Sequence, residues 1–140
     1  MFEPLHARVI TLERVLFDGK VSEVNAPALN GYLGILPRHA PLMAALGNGV
    51  LKISTAEGRQ RFFAVFGGFL QVENNRIIVL ADRAVAGGDI DFTEASARLE
   101  ETKIALEAGP GEGQSKSDLR RAFEQARIRW KVSRFSLENP

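Results

Sequence analysis

The chain contains no cysteine, which excludes disulfide frameworks, cysteine nucleophiles and thiolate metal sites, and suits a reducing compartment. Histidine is scarce too. His6 and His39 stand far apart in sequence, and neither has a second histidine or a carboxylate at ligand spacing, so no metal site is expected. No Gly-x-Ser-x-Gly nucleophile elbow is present. The longest stretch without a charge covers residues 24–37; it is too short for a spanning helix and is interrupted by Pro27, Asn30, Gly31 and Gly34. The opening Met1-Phe2-Glu3-Pro4-Leu5-His6 has neither a basic nor an apolar signal region, so no secretory signal is expected. Any membrane association should then run through a partner.

What the chain does have is an ordinary globular balance. Of 140 residues, 45% are hydrophobic and 25% charged, enough for one core and an appendage. The net charge of +1 is unevenly spread. Residues 1–88 carry nine basic and seven acidic side chains, residues 89–108 two basic and six acidic, and residues 116–140 seven basic and three acidic. An acidic segment is thus followed by a basic one.

Up to about residue 88 the sequence predicts β-structure. Short apolar, β-branched or aromatic runs recur at 8–12, 15–17, 21–24, 32–36, 42–46, 50–54, 61–66, 69–73 and 76–80. Turn signals separate them: Asp18-Gly19, Asn30-Gly31, Gly47-Asn48-Gly49, Glu57-Gly58, Gly67-Gly68 and Asn74-Asn75. The run Phe62-Phe63-Ala64-Val65-Phe66 lacks alternation, which predicts a strand covered on both faces. Gly67-Gly68 has no phosphate-binding helix after it, so a tight turn is expected there.

The period changes after Ala86-Gly87-Gly88. Phe92, Ala95, Leu99, Thr102 and Leu106 fall at helical spacing, with Asp91 and Glu94 placed as a capping box. Gly109-Pro110-Gly111-Glu112-Gly113 must end that helix, and it lacks the Lys-Ser/Thr of a phosphate-binding loop. A second helix, capped by Ser115 or Ser117, carries Leu119, Ala122, Phe123, Ala126, Trp130 and Ser133 on one side. The expected architecture is an N-terminal antiparallel β-sandwich (1–88) followed by a C-terminal two-helix antiparallel hairpin (89–140).

The basic helix bears Arg120, Arg121, Arg127, Arg129, Lys131 and Arg134. Either this is a solvated face or it meets an acidic surface. Nucleic acid is not expected, because Phe123 and Trp130 lie on the apolar stripe and not among the arginines. With no visible catalytic constellation, the residues favour a binding or assembly protein over an enzyme. A stand-alone β-sandwich ligand-binding module or enzyme with a helical tail is the alternative.

Three blocks carry a family likeness. Gly31-Tyr32-Leu33-Gly34-Ile35-Leu36-Pro37-Arg38-His39-Ala40-Pro41-Leu42 resembles the Gly-x-Leu-Gly-Ile-x-Pro-x-His-Ala-Pro-Leu signature of the epsilon subunits of F-type ATP synthases. Gly67-Gly68-Phe69-Leu70-Gln71-Val72 and Val79-Leu80-Ala81-Asp82-Arg83-Ala84 resemble two later blocks of that family, and Phe17-x-Gly19-x-Val21 fits its opening. Order, spacing and two-helix tail all agree over essentially the whole chain.

The resemblance implies a non-catalytic central-stalk (rotor) subunit. Its sandwich would sit between the gamma subunit and the membrane ring, coupling them during proton-driven ATP synthesis. Its hairpin would lie compact, or extend towards the alpha/beta catalytic head and oppose hydrolysis. Location at the cytoplasmic face of a bacterial inner membrane follows, or the organelle equivalent, with the membrane reached only through the complex. The implied partner interface is Tyr32, Leu33, Ile35, Leu36, Arg38, His39 and Leu42, a loop suited to docking, although a buried hairpin is the competing reading. The implied regulatory contacts are Arg120, Arg121, Arg127, Arg129 and Arg134.

The chain departs from the family pattern at three places. Tyr32 stands where a carboxylate is frequent, so a charged contact with the ring becomes aromatic. Nucleotide-binding members open their first helix with Ile/Leu-Asp-x-x-Arg-Ala; here the sequence is Ile90-Asp91-Phe92-Thr93-Glu94-Ala95, and only Asp91 matches as a nucleotide residue. Glu94 in place of arginine argues against ATP as a bound cofactor. The glycine-rich interhelix loop is the third departure.

Overall fold

β-Branched and aromatic residues favour a pleated, half-buried surface, and they recur throughout the first part of the chain. In the computed structural model, which describes residues 4–140, they form six strands: β1 (Leu5–Ile10), β2 (Val15–Ala28), β3 (Gly31–Ile35), β4 (Leu42–Thr55), β5 (Gln60–Glu73) and β6 (Arg76–Ala86). The first three residues of the segment weighed as a signal lie outside the described residues.

Six strands replace the nine expected runs because three of the six turn signals lie inside strands. Asp18-Gly19, Gly47-Asn48-Gly49 and Gly67-Gly68 fall within β2, β4 and β5. Gly68 shows why. Its φ is +125°, and an added Cβ would stand 2.1 Å from the Leu80 carbonyl oxygen, so glycine lets β5 and β6 approach closely where another residue would clash. The remaining signals are true turns. Asn74 and Asn75 both have positive φ (51° and 61°) between the paired residues Glu73 and Arg76, which makes a two-residue mirror-image hairpin turn.

The strand order is β1-β6-β5-β4-β2-β3, and β1 also pairs with β2. Five strands therefore close into a ring, with β3 appended to β2. Closure leaves few free edges, which protects the sheet from pairing with other chains. The β1–β6 pair is parallel, the one departure among the described residues from the expected antiparallel pattern. Inside the ring Leu5, Val24, Ile53, Phe63, Leu70 and Val79 are fully buried. Each such side chain contributes roughly 1.5–3 kcal/mol relative to exposure.

Alternate residues of a strand face opposite sides, and both sides of β5 are covered. Phe63 and Val65 join the sandwich core, whereas Phe62, Ala64 and Phe66 form a second cluster with Ile90, Ala95 and Val132. That second cluster is where the helices dock.

A short 3-10 turn (Gly87–Asp89) leads into α1 (Phe92–Ala108) and α2 (Lys116–Glu138). Asp91 caps α1 by accepting the Glu94 N–H at 3.0 Å, and Ser115 caps α2 by accepting the Asp118 N–H at 3.0 Å. Gly109, with φ of 86°, closes α1. Trp130 Nε1 donates to Ser96 Oγ at 3.2 Å, and Ser133 Oγ donates to the Ile90 carbonyl at 3.5 Å. The start of one helix thus meets the late part of the other, and the hairpin is antiparallel. The far side of α2 places Ile128, Val132 and Phe135 on the second cluster, with the Phe62 and Phe135 rings 5.4 Å apart. Gly87 allows this closeness, since a Cβ there would stand 2.8 Å from the Ser136 Cβ.

Candidate partner-binding surfaces

The loop between β3 and β4 is held by backbone geometry. His39 N–H donates to the Leu36 carbonyl at 3.2 Å and closes a four-residue turn. Pro37 fixes the second position, and Arg38 occupies the third with φ of 65°, a region that favours glycine. Arg38 N–H also donates to Asn75 Oδ1, which ties the loop to the β5–β6 turn. The His39 ring, half-buried, sets Nδ1 2.7 Å from the Ala40 carbonyl. A strained residue held in place by a second turn is a common feature of binding sites.

On this frame the sequence-predicted interface divides. Leu36 is 56% exposed and Tyr32 57% exposed, and the Tyr32 hydroxyl accepts the Val50 N–H at 3.1 Å. Leu33 and Leu42 are half-buried and pack on the core. Ile35 must be corrected. It pairs with Val24, is 0% exposed and belongs to the sandwich core, so it offers nothing to a partner. Strand alternation accounts for this, because Ile35 faces inward wherever its neighbours face out.

A second surface was missed by sequence reasoning. On the outer face, Met43, Gln71 and Ile78 lie side by side across β4, β5 and β6, and Ala45, Phe69 and Leu80 form the next row. Met43 is 72% exposed and Phe69 60% exposed, with Ile78 and Leu80 also open to solvent. Contiguous apolar side chains on a sheet face mark an interaction site more often than isolated ones do. The signal was present in Ile77-Ile78-Val79-Leu80, an apolar run without alternation like that at 62–66.

The hairpin arginines are all exposed. Arg121, Arg127 and Arg134 pair with Asp118, Glu124 and Glu138 on their own helix, at 3.9, 3.8 and 3.0 Å. Such surface pairs contribute at most about 1 kcal/mol each. Arg120 and Arg129 have no ion pair among the described residues. Arg129 lines a cleft of about 330 Å³ between α1 and α2 together with Arg98, Asp89, Asp91 and Glu94. Three carboxylates there outnumber two guanidinium groups, and the Asp91 carboxylate is engaged in capping. Among the described residues no helix is long and apolar enough to cross a membrane, and no three metal-ligating side chains converge.

Comparison with known proteins points the same way. Residues 4–87 match the family model of the ATP synthase delta/epsilon chain β-sandwich domain. An ATP synthase epsilon chain from a Synechococcus species is 46% identical over 102 residues, covering 73% of this chain and 74% of the relative. Another, from Microcystis aeruginosa, is 41% identical over 127 residues, covering 91% and 88%. Among solved structures, a chain of the Euglena gracilis mitochondrial ATP synthase (OSCP/F1/c-ring) superposes with a TM-score of 0.71 at 17% identity, covering 98% of this chain and 84% of that one. A chain of the Tetrahymena thermophila mitochondrial ATP synthase central stalk and c-ring gives 0.62 at 17% identity, covering 94% and 98%. At that identity the superpositions speak for the fold alone, whereas the sandwich model and the nearly full-length relatives settle the family: the chain belongs to the epsilon subunits of F-type ATP synthases.

Proposed function

We propose that this epsilon subunit is a non-catalytic adaptor of the central stalk, joining the gamma subunit to the membrane ring while its hairpin restrains ATP hydrolysis. The observation that carries this reading is the pair of surfaces on one closed sandwich. The outer apolar face of Met43, Phe69, Ile78 and Leu80 suits a protein partner that stays bound, and we assign it to gamma. The pinned loop at 36–41 runs directly into the strand that carries Met43, and we assign the exposed Leu36, Arg38 and Tyr32 to the polar loops of the ring. A closed ring of strands carrying two docking surfaces is suited to passing torque without deforming.

The hairpin supports a regulatory role by its attachment. It is held to the sandwich chiefly through Ile128, Val132 and Phe135 of α2, a modest interface of the kind a two-position switch requires. Released, it would carry Arg120 and Arg129 towards the acidic parts of the alpha/beta head. The subunit works as a peripheral protein at the cytoplasmic face of a bacterial inner membrane, or the equivalent organelle membrane, reached only through the complex.

A binding assay with purified gamma tests the assignment. The double substitution Met43→Glu, Phe69→Glu should weaken binding at least tenfold, about 1.4 kcal/mol or more, with far-UV circular dichroism unchanged. Undiminished binding would assign gamma to another face.

A further inference from the structure

A second concave region lies on the sandwich, apart from the apolar face and the hairpin. Three strands converge on it: Lys20 of β2, His6 of β1 and Arg76 of β6 are direct cross-strand neighbours in one outer row. In the next row, Arg8 stands opposite Asp18. All five line one cleft of about 650 Å³, whose rim includes the side chains of Asn74 and Asn75.

The charges within it are unequally matched. Asp18 binds His6 Nε2 through one carboxylate oxygen and Arg8 Nε through the other, at 3.5 Å for the arginine. Lys20 and Arg76 have no ion pair among the described residues. Glu73, opposite Arg76 in the hairpin, meets Gln71 instead. Neighbouring strands run about 4.8 Å apart, so the row from Lys20 to Arg76 spans about 10 Å of backbone. Lys20 and Arg76 thus flank His6 on one face, about 10 Å apart along the row. An anion lying across the row would meet both cations.

We infer that the hollow lined by His6, Arg8, Lys20 and Arg76 is a binding site for a phosphate-bearing anion. The guanidinium forks of Arg8 and Arg76 match the geometry of phosphate oxygens better than a point charge does. The Asn74 amide can add a neutral donor at the rim. Asp18 orients His6 and engages Arg8 through Nε, and it leaves the terminal nitrogens of Arg8, with Lys20 and Arg76, to meet the ligand. The same turn that rims the cleft ties down the 36–41 loop through Asn75, so an occupied site would stiffen that end of the sandwich. The inference does not depend on the stalk assignment, because it concerns the isolated chain. The anion's source is either a free phosphate compound or a lipid headgroup.

The test uses the full chain labelled with ¹⁵N, titrated with inorganic phosphate and with pyrophosphate at constant ionic strength. Saturable shifts are expected at β1, at residue 20 and at residues 74–76. Lys20→Gln with Arg76→Gln should weaken binding about tenfold or more, while Lys103→Gln with Lys116→Gln, an equal loss of charge elsewhere, should not. A parallel arm uses vesicles of phosphatidylglycerol against phosphatidylcholine. Binding of the free anions alone identifies a soluble ligand, and binding of the anionic vesicles that the cleft substitutions abolish identifies a headgroup. The inference is overturned if neither probe binds saturably, or if the cleft substitutions leave binding unchanged. It is overturned equally if those substitutions weaken only the capture of gamma, which would make the cluster part of a protein interface.

Discussion

The sandwich and the hairpin are built on different terms. The sandwich closes on itself and fills its interior with fully buried aliphatic and aromatic side chains. In α1, by contrast, only Ala95 and Thr102 are buried, and it rests on α2. α2 in turn reaches the sandwich through one short stretch of its length. Two parts of one chain therefore differ in what holds them: the first encloses a core of its own, and the second shares its buried cluster with a face of the first. The lesson is that detachability can be read from where apolar residues are shared.

Substitutions can sharpen that contrast. Phe63→Ala should remove about 3–5 kcal/mol from global stability and take both units with it, since the hairpin has no support without β5; thermal unfolding followed at strand and helix signals should lose both together. Val132→Asp buries a charge only in the shared cluster. It should loosen the hairpin by about 2–4 kcal/mol while sparing the strands, which hydrogen exchange would resolve as faster exchange in α1 and α2 alone. Asp91→Ala deletes one cap and should cost about 1 kcal/mol, again confined to the helices.

The smallest expected effect is ATP binding. A phosphate set at the start of α1 would meet the negative charge of Glu94. Two unit charges about 4 Å apart repel by roughly 4 kcal/mol at an effective dielectric near 20, and a third of that already lowers affinity about tenfold. Arg98 and Arg129 face the same cleft but are outnumbered by its carboxylates. Calorimetric titration should find ATP binding no tighter than about millimolar. A micromolar constant would show that the two arginines form a phosphate site after all.

Much of this was legible from residues alone, and the failures have physical causes. The unbroken apolar run at 62–66 announced a strand covered twice, and Asp91 announced a helix start. Glycines misled at Gly19, Gly47 and Gly68, because inside long strands they permit bending and close approach instead of turning the chain. Ile35 was misplaced because a specific motif does not say which of its residues face inward. The outer face was missed because the apolar run at 77–80 marks two apolar faces without saying that Ile78 and Leu80 stay uncovered by the rest of the chain. The cleft at His6 joins residues from three strands, far apart in sequence.

The most direct test of a self-sufficient sandwich carrying a detachable regulator is truncation after Gly88. The shortened chain, reconstituted with the remaining subunits, should still fold, assemble and couple the complex, and ATP hydrolysis by that complex should rise. Hydrolysis unchanged from the full-length assembly, or failure of the truncated chain to assemble, would contradict the account.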